Sequence, residues 1–188
     1  MESPLVALFQ LIDAFKLVGI DYVVVGSLAS SVHGEYRASA DIYVLTSITE
    51  KHIRPLINSL SGFYMDDLAA LRAISQGRSF NVIHVESVFK IDVFPSKNEF
   101  DSQQLARRQS YVIETDVSRE LWIATAEDTI LAKLYWFRLG EHVSELQWRD
   151  VKGILGTQGS QLDRDYMRVW AERIGVADLL EQATRESE

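Results

Sequence analysis

The sequence predicts an α/β half followed by an all-α half, on three observations. Short apolar β-rich runs, such as Tyr22-Val23-Val24-Val25 and Phe89-Lys90-Ile91-Asp92-Val93, stay in the first part of the chain. Capping boxes, Thr125-Ala126-Glu127-Asp128 and Ser144-Glu145-Leu146-Gln147, open apolar-striped segments in the last part. The change of character falls near residue 118, giving an α/β domain over 1–117 and a helical region over 118–188 packed on it. The 188 residues suffice for one compact domain, or a small domain with a helical appendage.

The elements follow in order. Ser3 caps a helix over 3–18, and Pro4 suits its first position, where no N–H is needed. Leu5, Leu8, Phe9, Ile12 and Phe15 recur at helical spacing, and Gly19 is a natural stop. Residues 21–25 read as a buried strand, and the small residues of 28–34 as a short helix at best. A second strand covers 40–45. Thr49 caps a helix striped by Ile53, Leu56, Ile57 and Leu60, and Gly62 ends it. Residues 63–77 are ambiguous, with a short helix at 67–74 as one reading. Strands at 79–85 and 88–94 flank Glu86-Ser87, short enough for a hairpin, and 109–114 is one more strand candidate. Helices then cover 130–139, a segment from Ser144 to near Gly156, and one from Asp163 carrying Tyr166, Val169, Trp170 and Ile174. Gly175 breaks the last, and a short tail helix ends in the polar 181–188.

Composition narrows the chemistry. There is no cysteine, which excludes disulfide scaffolds, zinc fingers, thiol catalysis and iron–sulfur clusters. Four scattered histidines make an all-His metal site improbable. With 27 acidic against 19 basic residues the net charge is −8, which opposes a broad nucleic-acid surface. Arg107-Arg108 and Arg149-Asp150 are too small for such a patch. No apolar run approaches the roughly 20 residues of a membrane span. The start, Met1-Glu2-Ser3-Pro4, lacks the pattern of a signal peptide, so a cytoplasmic protein is expected.

Three features fit together as a site. Gly26-Ser27 stands at a strand-to-helix turn, where glycine admits a phosphate and the helix offers unpaired N–H donors. Asp41 and Tyr43 share one strand face, with Ile42 and Val44 on the other. Lys90 and Asp92 likewise point away from Phe89, Ile91 and Val93. A carboxylate within an apolar strand is costly unless exposed, paired or bound to a metal.

The order Gly-Ser, Asp-x-x, distant strand Asp resembles the nucleotidyltransferase superfamily of the DNA polymerase β type. The run Gly26-Ser27-Leu28-Ala29-Ser30-Ser31-Val32-His33-Gly34, then Arg37 and Asp41, is similar to minimal bacterial nucleotidyltransferases and abortive-infection-type toxins. Ser79-Phe80-Asn81-Val82-Ile83-His84, Ala126-Glu127-Asp128-Thr129-Ile130-Leu131-Ala132-Lys133-Leu134 and Gln147-Trp148-Arg149-Asp150-Val151 fit one bacterial branch. The likeness spans about residues 5–180. It implies an α+β fold, a mixed sheet with helices on one face, followed by the C-terminal helical region. It also implies Mg2+ on Asp41 and Asp92 as metal-binding and catalytic residues. A nucleoside triphosphate would lie on Gly26 and Ser27, assisted by Arg37 and Lys133. The acceptor would be a hydroxyl on RNA, a protein or a small molecule.

One departure stands out. Tyr43 occupies the position of the family's second carboxylate. A phenol of ordinary pKa, about 10, is neutral at pH 7 and a poor magnesium ligand. Glu86 is a weaker stand-in, since a hairpin-turn acid is usually just solvated. Two readings follow: a transferase of nucleoside monophosphates with an incomplete metal site, or a nucleotide-binding or protein-interaction module, such as part of a toxin–antitoxin pair. The net acidity still allows a local basic cleft around Arg37, Arg78, Lys90 and Lys133. His33 is expected to pack at the end of its helix rather than bind metal. Trp136, Trp148 and Trp170 are expected in the core and between domains rather than as a stacking platform.

Overall fold

The computed structural model of the chain describes residues 4–36, 41–113, 118–141 and 143–187. The cap expected at Ser3 lies outside them. Helix α1 (Pro4–Val18) buries Leu8, Leu11, Ile12 and Phe15, and Gly19 at φ 75° ends it. After β1 (Tyr22–Val25) come α2 (Gly26–His33), β2 (Ile42–Thr46), α3 (Glu50–Ser59) and β3 (Phe63–Tyr64). Next are α4 (Asp67–Ser75), β4 (Phe80–His84), β5 (Phe89–Pro95), α5 (Glu99–Arg107), β6 (Gln109–Ile113) and β7 (Arg119–Ile123). The remainder is helical: α6 (Ala126–Leu139), α7 (Glu145–Gln158), a 3-10 turn (Gly159–Gln161), α8 (Arg164–Arg173) and α9 (Ala177–Arg185).

Among the described residues seven strands form one mixed sheet in the order β3-β4-β5-β2-β1-β7-β6. The β2–β5 and β1–β7 pairs are parallel, and the other neighbours are antiparallel. The central strands read as unbroken apolar runs because both their faces are covered. Tyr22 and Val24 of β1, Ile42 and Val44 of β2, and Ile91 and Val93 of β5 join α1, α3 and α4 in the main core. Each fully buried Val, Leu or Ile side chain there is worth about 1.5–3 kcal/mol. On the opposite face Val23, Val25, Leu45 and Phe94 meet Leu105 of α5 and Ala124 in a smaller cluster. A third core, around Ile130, Leu134, Ile154, Met167 and Trp170, belongs to the C-terminal helices.

The α+β organisation expected from sequence is present, with two additions. The sheet runs past the division expected at residue 118, because β7 inserts beside β1 and buries Leu121 and Ile123. Its opening residues, Arg119 and Glu120, are charged, which hides a five-residue strand. Helix α5 also went unread. It is mostly polar and shows only Phe100 and Leu105 as large buried apolar residues. Those two bridge the cores, Phe100 into the helical one and Leu105 into the small sheet-face cluster.

The caps explain where the helical half begins and breaks. Thr125 accepts from the Asp128 N–H at 3.2 Å, Ser144 from Gln147 at 3.4 Å and Asp163 from Tyr166 at 2.9 Å. Asp128 is itself fully buried between α5, α6 and α8. The Tyr166 hydroxyl donates to it at 2.5 Å, and Arg107 Nε lies 3.5 Å from its second oxygen. Burial pushes the Asp128 carboxyl above its ordinary range, against the Tyr166 hydrogen bond and the Arg107 charge. No helix among the described residues is long and apolar enough to cross a membrane.

Candidate functional site

The Gly-Ser turn is built by a change of backbone hand. Gly26 takes φ 69°, so α2 starts directly after β1, two residues earlier than the sequence predicts. Its N-cap is Val25, which supplies no side-chain hydrogen bond. The first turn of any helix leaves N–H groups without intrahelical partners. Inside the helix, Ser30 donates to the Gly26 carbonyl at 3.0 Å and Ser31 to the Ser27 carbonyl at 3.1 Å. The hydroxyls thus serve the carbonyl side of the turn, and Ser27 is buried.

Strand register assembles the neighbouring row. Asn81 of β4, Asp92 of β5, Tyr43 of β2 and Val25 of β1 are successive partners across four strands. Asp92 is therefore flanked by an amide on one side and a phenol on the other. Asn81 Nδ2 donates to Asp92 Oδ1, and Lys90 Nζ stands 3.5 Å from Oδ2. The lysine side chain is 47% exposed and the aspartate only 13%, so the pair opens toward solvent on the lysine side. Asp41 directly precedes β2 and is exposed.

Tyr43 lies against the Gly-Ser turn. A Cβ added to Gly26 would come within 2.6 Å of Tyr43 Cδ2. The bare Cα of Gly26 is thus filled by the ring that replaces the expected carboxylate. Tyr43 in turn meets Phe94 edge-on, with centroids 6.0 Å apart at 62°. Phe94 meets Trp136 of α6 at 6.4 Å and 67°. Trp136 is 50% exposed, against 6% for Trp170. Trp170 is the core residue expected, and Trp148 packs on Phe137 at 5.1 Å. Trp136 departs from that expectation and borders the carboxylate face of the sheet.

Two other expected residues fall elsewhere. Lys133 is buried, with Nζ 2.8 Å from Asp150 and 2.9 Å from Gln147, so it ties α6 to α7. Its stem is buried, and its ammonium reaches Asp150 and Gln147 of α7. Arg37 lies outside the described residues. His33 packs as expected, with Nε2 2.6 Å from the Ala124 carbonyl and its ring edge-on to Tyr111. Glu86 and Arg78 are exposed. A surface groove of about 420 Å3 is lined by residues such as Glu35, Arg149, Lys152 and Glu186 that also pair with one another.

The chain aligns with the solved structure of antibiotic-resistance factor ANT(2'')-Ia, a nucleotidyltransferase, with a TM-score of 0.50. The match covers 93% of this chain and 94% of that one, at 12% identity. The chain has a nucleotidyltransferase fold. Two further solved structures are similar at lower scores. Lincosamide antibiotic adenylyltransferase LnuA gives a TM-score of 0.47 at 16% identity, over 78% of this chain and 93% of that one. An antigenic nucleotidyltransferase-like protein from Paracoccidioides brasiliensis gives 0.46 at 11% identity, over 95% and 91%. No protein-family model and no curated protein sequence matches the chain.

The nucleotidyltransferase fold implies divalent metal, and the residues present can be tested against it. Asp92 already has an amide on one oxygen and an ammonium near the other. Its neighbour in the row is a tyrosine. Among the described residues no group of three or more His, Asp or Glu is placed to hold a metal ion. Magnesium prefers hard anionic oxygens in octahedral array. Among the described residues the donor set does not fit a two-ion centre.

Asn81 and Phe94 stand beside Asp92 and Tyr43, and the sequence reading gave neither a role. Asn81 had a signal, since it is the polar residue facing outward in the β4 pattern, exposed between buried Phe80 and Val82. Nothing local could pair it with Asp92, because that depends on hairpin register.

Proposed function

We propose that this chain binds a nucleoside triphosphate at the Gly26-Ser27 turn and has largely given up metal-dependent transfer. The observation that supports this reading is the row of Asn81, Asp92 and Tyr43, with the Tyr43 ring laid on Gly26. A helix start whose N-cap side chain makes no hydrogen bond suits phosphate oxygens. Lys90, exposed beside Asp92, supplies positive charge on the same face. Its ammonium does electrostatically at Asp92 part of what a cation would do. The partner is a single nucleotide rather than a nucleic-acid chain, in keeping with the net charge of −8.

A second reading, transfer of a nucleoside monophosphate to a hydroxyl acceptor, is favoured by Asp41 and Asp92 falling on one face of the sheet by strand alternation. One titration separates the two. ATP, GTP, CTP and UTP are each titrated calorimetrically with magnesium and with EDTA, on the parent, Asp41→Ala and Tyr43→Asp. Binding by the parent that magnesium alters less than about threefold, with clear magnesium dependence gained in Tyr43→Asp, supports the nucleotide-binding reading. Binding that requires magnesium and disappears in Asp41→Ala transfers the case to the enzyme. Absence of binding to all four nucleotides overturns both.

A further inference from the structure

The C-terminal end of α6 leaves the core, with Tyr135, Trp136 and Leu139 all exposed, and Trp136 is the largest of them. Ile130, Leu131 and Leu134 on α6 are fully buried, yet two residues further on a tryptophan keeps half its surface in water. Its neighbour Tyr135 is 36% exposed and meets it edge-on, with centroids 6.2 Å apart at 73°. The indole is not placed at random. Through Phe94 it continues the ring sequence that begins at Tyr43 on Gly26, in steps of 6.0 and 6.4 Å. Both of its ring neighbours take it in edge-type contacts, which do not cover a ring as a stacked partner would. Phe94 also shares its strand face with Lys90 and Asp92. A ligand with its phosphates at the turn and its planar end on Trp136 would cross this row.

We infer that Trp136 is the stacking surface for the nucleobase of the bound nucleotide, with Phe94 holding the indole upright against β5. This rests on the nucleotide-binding reading above and assigns the far end of the same ligand. Stacking on an indole face is sequence-tolerant because every base has a π-face. The site should therefore discriminate weakly among bases while depending on the presence of one.

Affinity is measured for a nucleoside triphosphate and for inorganic tripolyphosphate, on the parent, W136A and W136F. Trp136 is half-exposed, so truncation should spare the fold, and W136F keeps a ring if it does not. The expected result is about a tenfold or greater loss of triphosphate affinity in W136A, with most of it restored in W136F. Tripolyphosphate affinity should be equal in all three. Nucleotide should also quench parent tryptophan fluorescence, a signal W136F lacks. Equal nucleotide affinity in parent and W136A overturns the assignment and leaves the nucleotide reading standing. If the parent binds neither ligand, the nucleotide reading fails and this assignment fails with it. A concentration-dependent dimer that W136A dissociates would give the ring to a second copy of the chain, which also overturns it.

Discussion

Two Lys–Asp pairs divide the molecule. Lys90–Asp92 sits on the sheet face at 3.5 Å, with the lysine 47% and the aspartate 13% exposed. Lys133–Asp150 sits between α6 and α7 at 2.8 Å, with 5% and 6%. The residue types are the same and the physics is not. In the helical half the charges have left water together, so breaking the pair is costly. On the sheet the ammonium stays hydrated, and its attraction to Asp92 is correspondingly weak. An open pair can exchange its partner for a phosphate; a closed one can only hold helices in register. Sequence similarity assigns Lys133 to nucleotide binding, whereas the more exposed of the two ammonium groups is that of Lys90.

The largest expected effect breaks this contrast directly. Lys133→Met should cost about 3–5 kcal/mol, because it removes a buried ammonium 2.8 Å from Asp150. Lys90→Met should cost less than about 1 kcal/mol, as for other exposed pairs. Urea unfolding of both variants checks this through the midpoints. Similar losses would mean that the two pairs are not different in kind. The nucleotide titration then sharpens the comparison: Lys90→Met should weaken triphosphate binding while stability hardly changes.

A middle-sized effect is expected where Tyr43 meets the turn. Gly26→Ala places a Cβ at positive φ and 2.6 Å from Tyr43 Cδ2, so it meets two obstacles at once. Strain of this kind costs on the order of 1–3 kcal/mol. Tyr43→Ala removes only the steric part. In a double-mutant cycle the pair should therefore be less destabilised than the sum of the singles, with the backbone part remaining. Strict additivity would show that Tyr43 does not rest on Gly26.

The contrast also explains what could be read from sequence. β1, β2 and β5 declared themselves, because a central strand buried on two faces is an apolar run with few alternatives. Asp92 declared itself for the opposite reason, as a carboxylate inside such a run. Helices α6, α7 and α8 were announced by Thr125, Ser144 and Asp163, whose caps act within four residues. Features set by distant partners were not legible. The Asn81–Asp92 contact depends on hairpin register, and the Lys133–Asp150 contact on how two helices turn toward each other. Trp136 was misread because a tryptophan on an apolar-striped helix has the same local pattern whether it faces the core or a cleft. Helix α5 shows the same limit, since its two buried residues serve two different cores.

The smallest effect asks whether the sheet half has a closed polar joint of its own. His33 is that joint: it ends α2 and meets the Ala124 carbonyl, just before α6 begins. Burial lowers its pKa below the ordinary 6.5, although the Ala124 hydrogen bond and the Glu127 charge act the other way. The unfolded chain therefore takes up this proton first as the pH falls through about 6.5. Stability should decline on that acid side until the pH has passed the folded value, and should gain nothing more from His33 above neutrality. Asp128 contributes the opposite slope, since its raised carboxyl makes the folded chain take up the proton first. The two can be told apart by comparing the parent with His33→Gln, which retains an N–H donor and cannot titrate. Between pH 7.5 and 5.5 the melting temperature of the parent should fall relative to that of His33→Gln. Parallel curves would show that the ring is protonated as freely in the folded chain as in the unfolded one, and that the sheet half lacks a closed joint at this position.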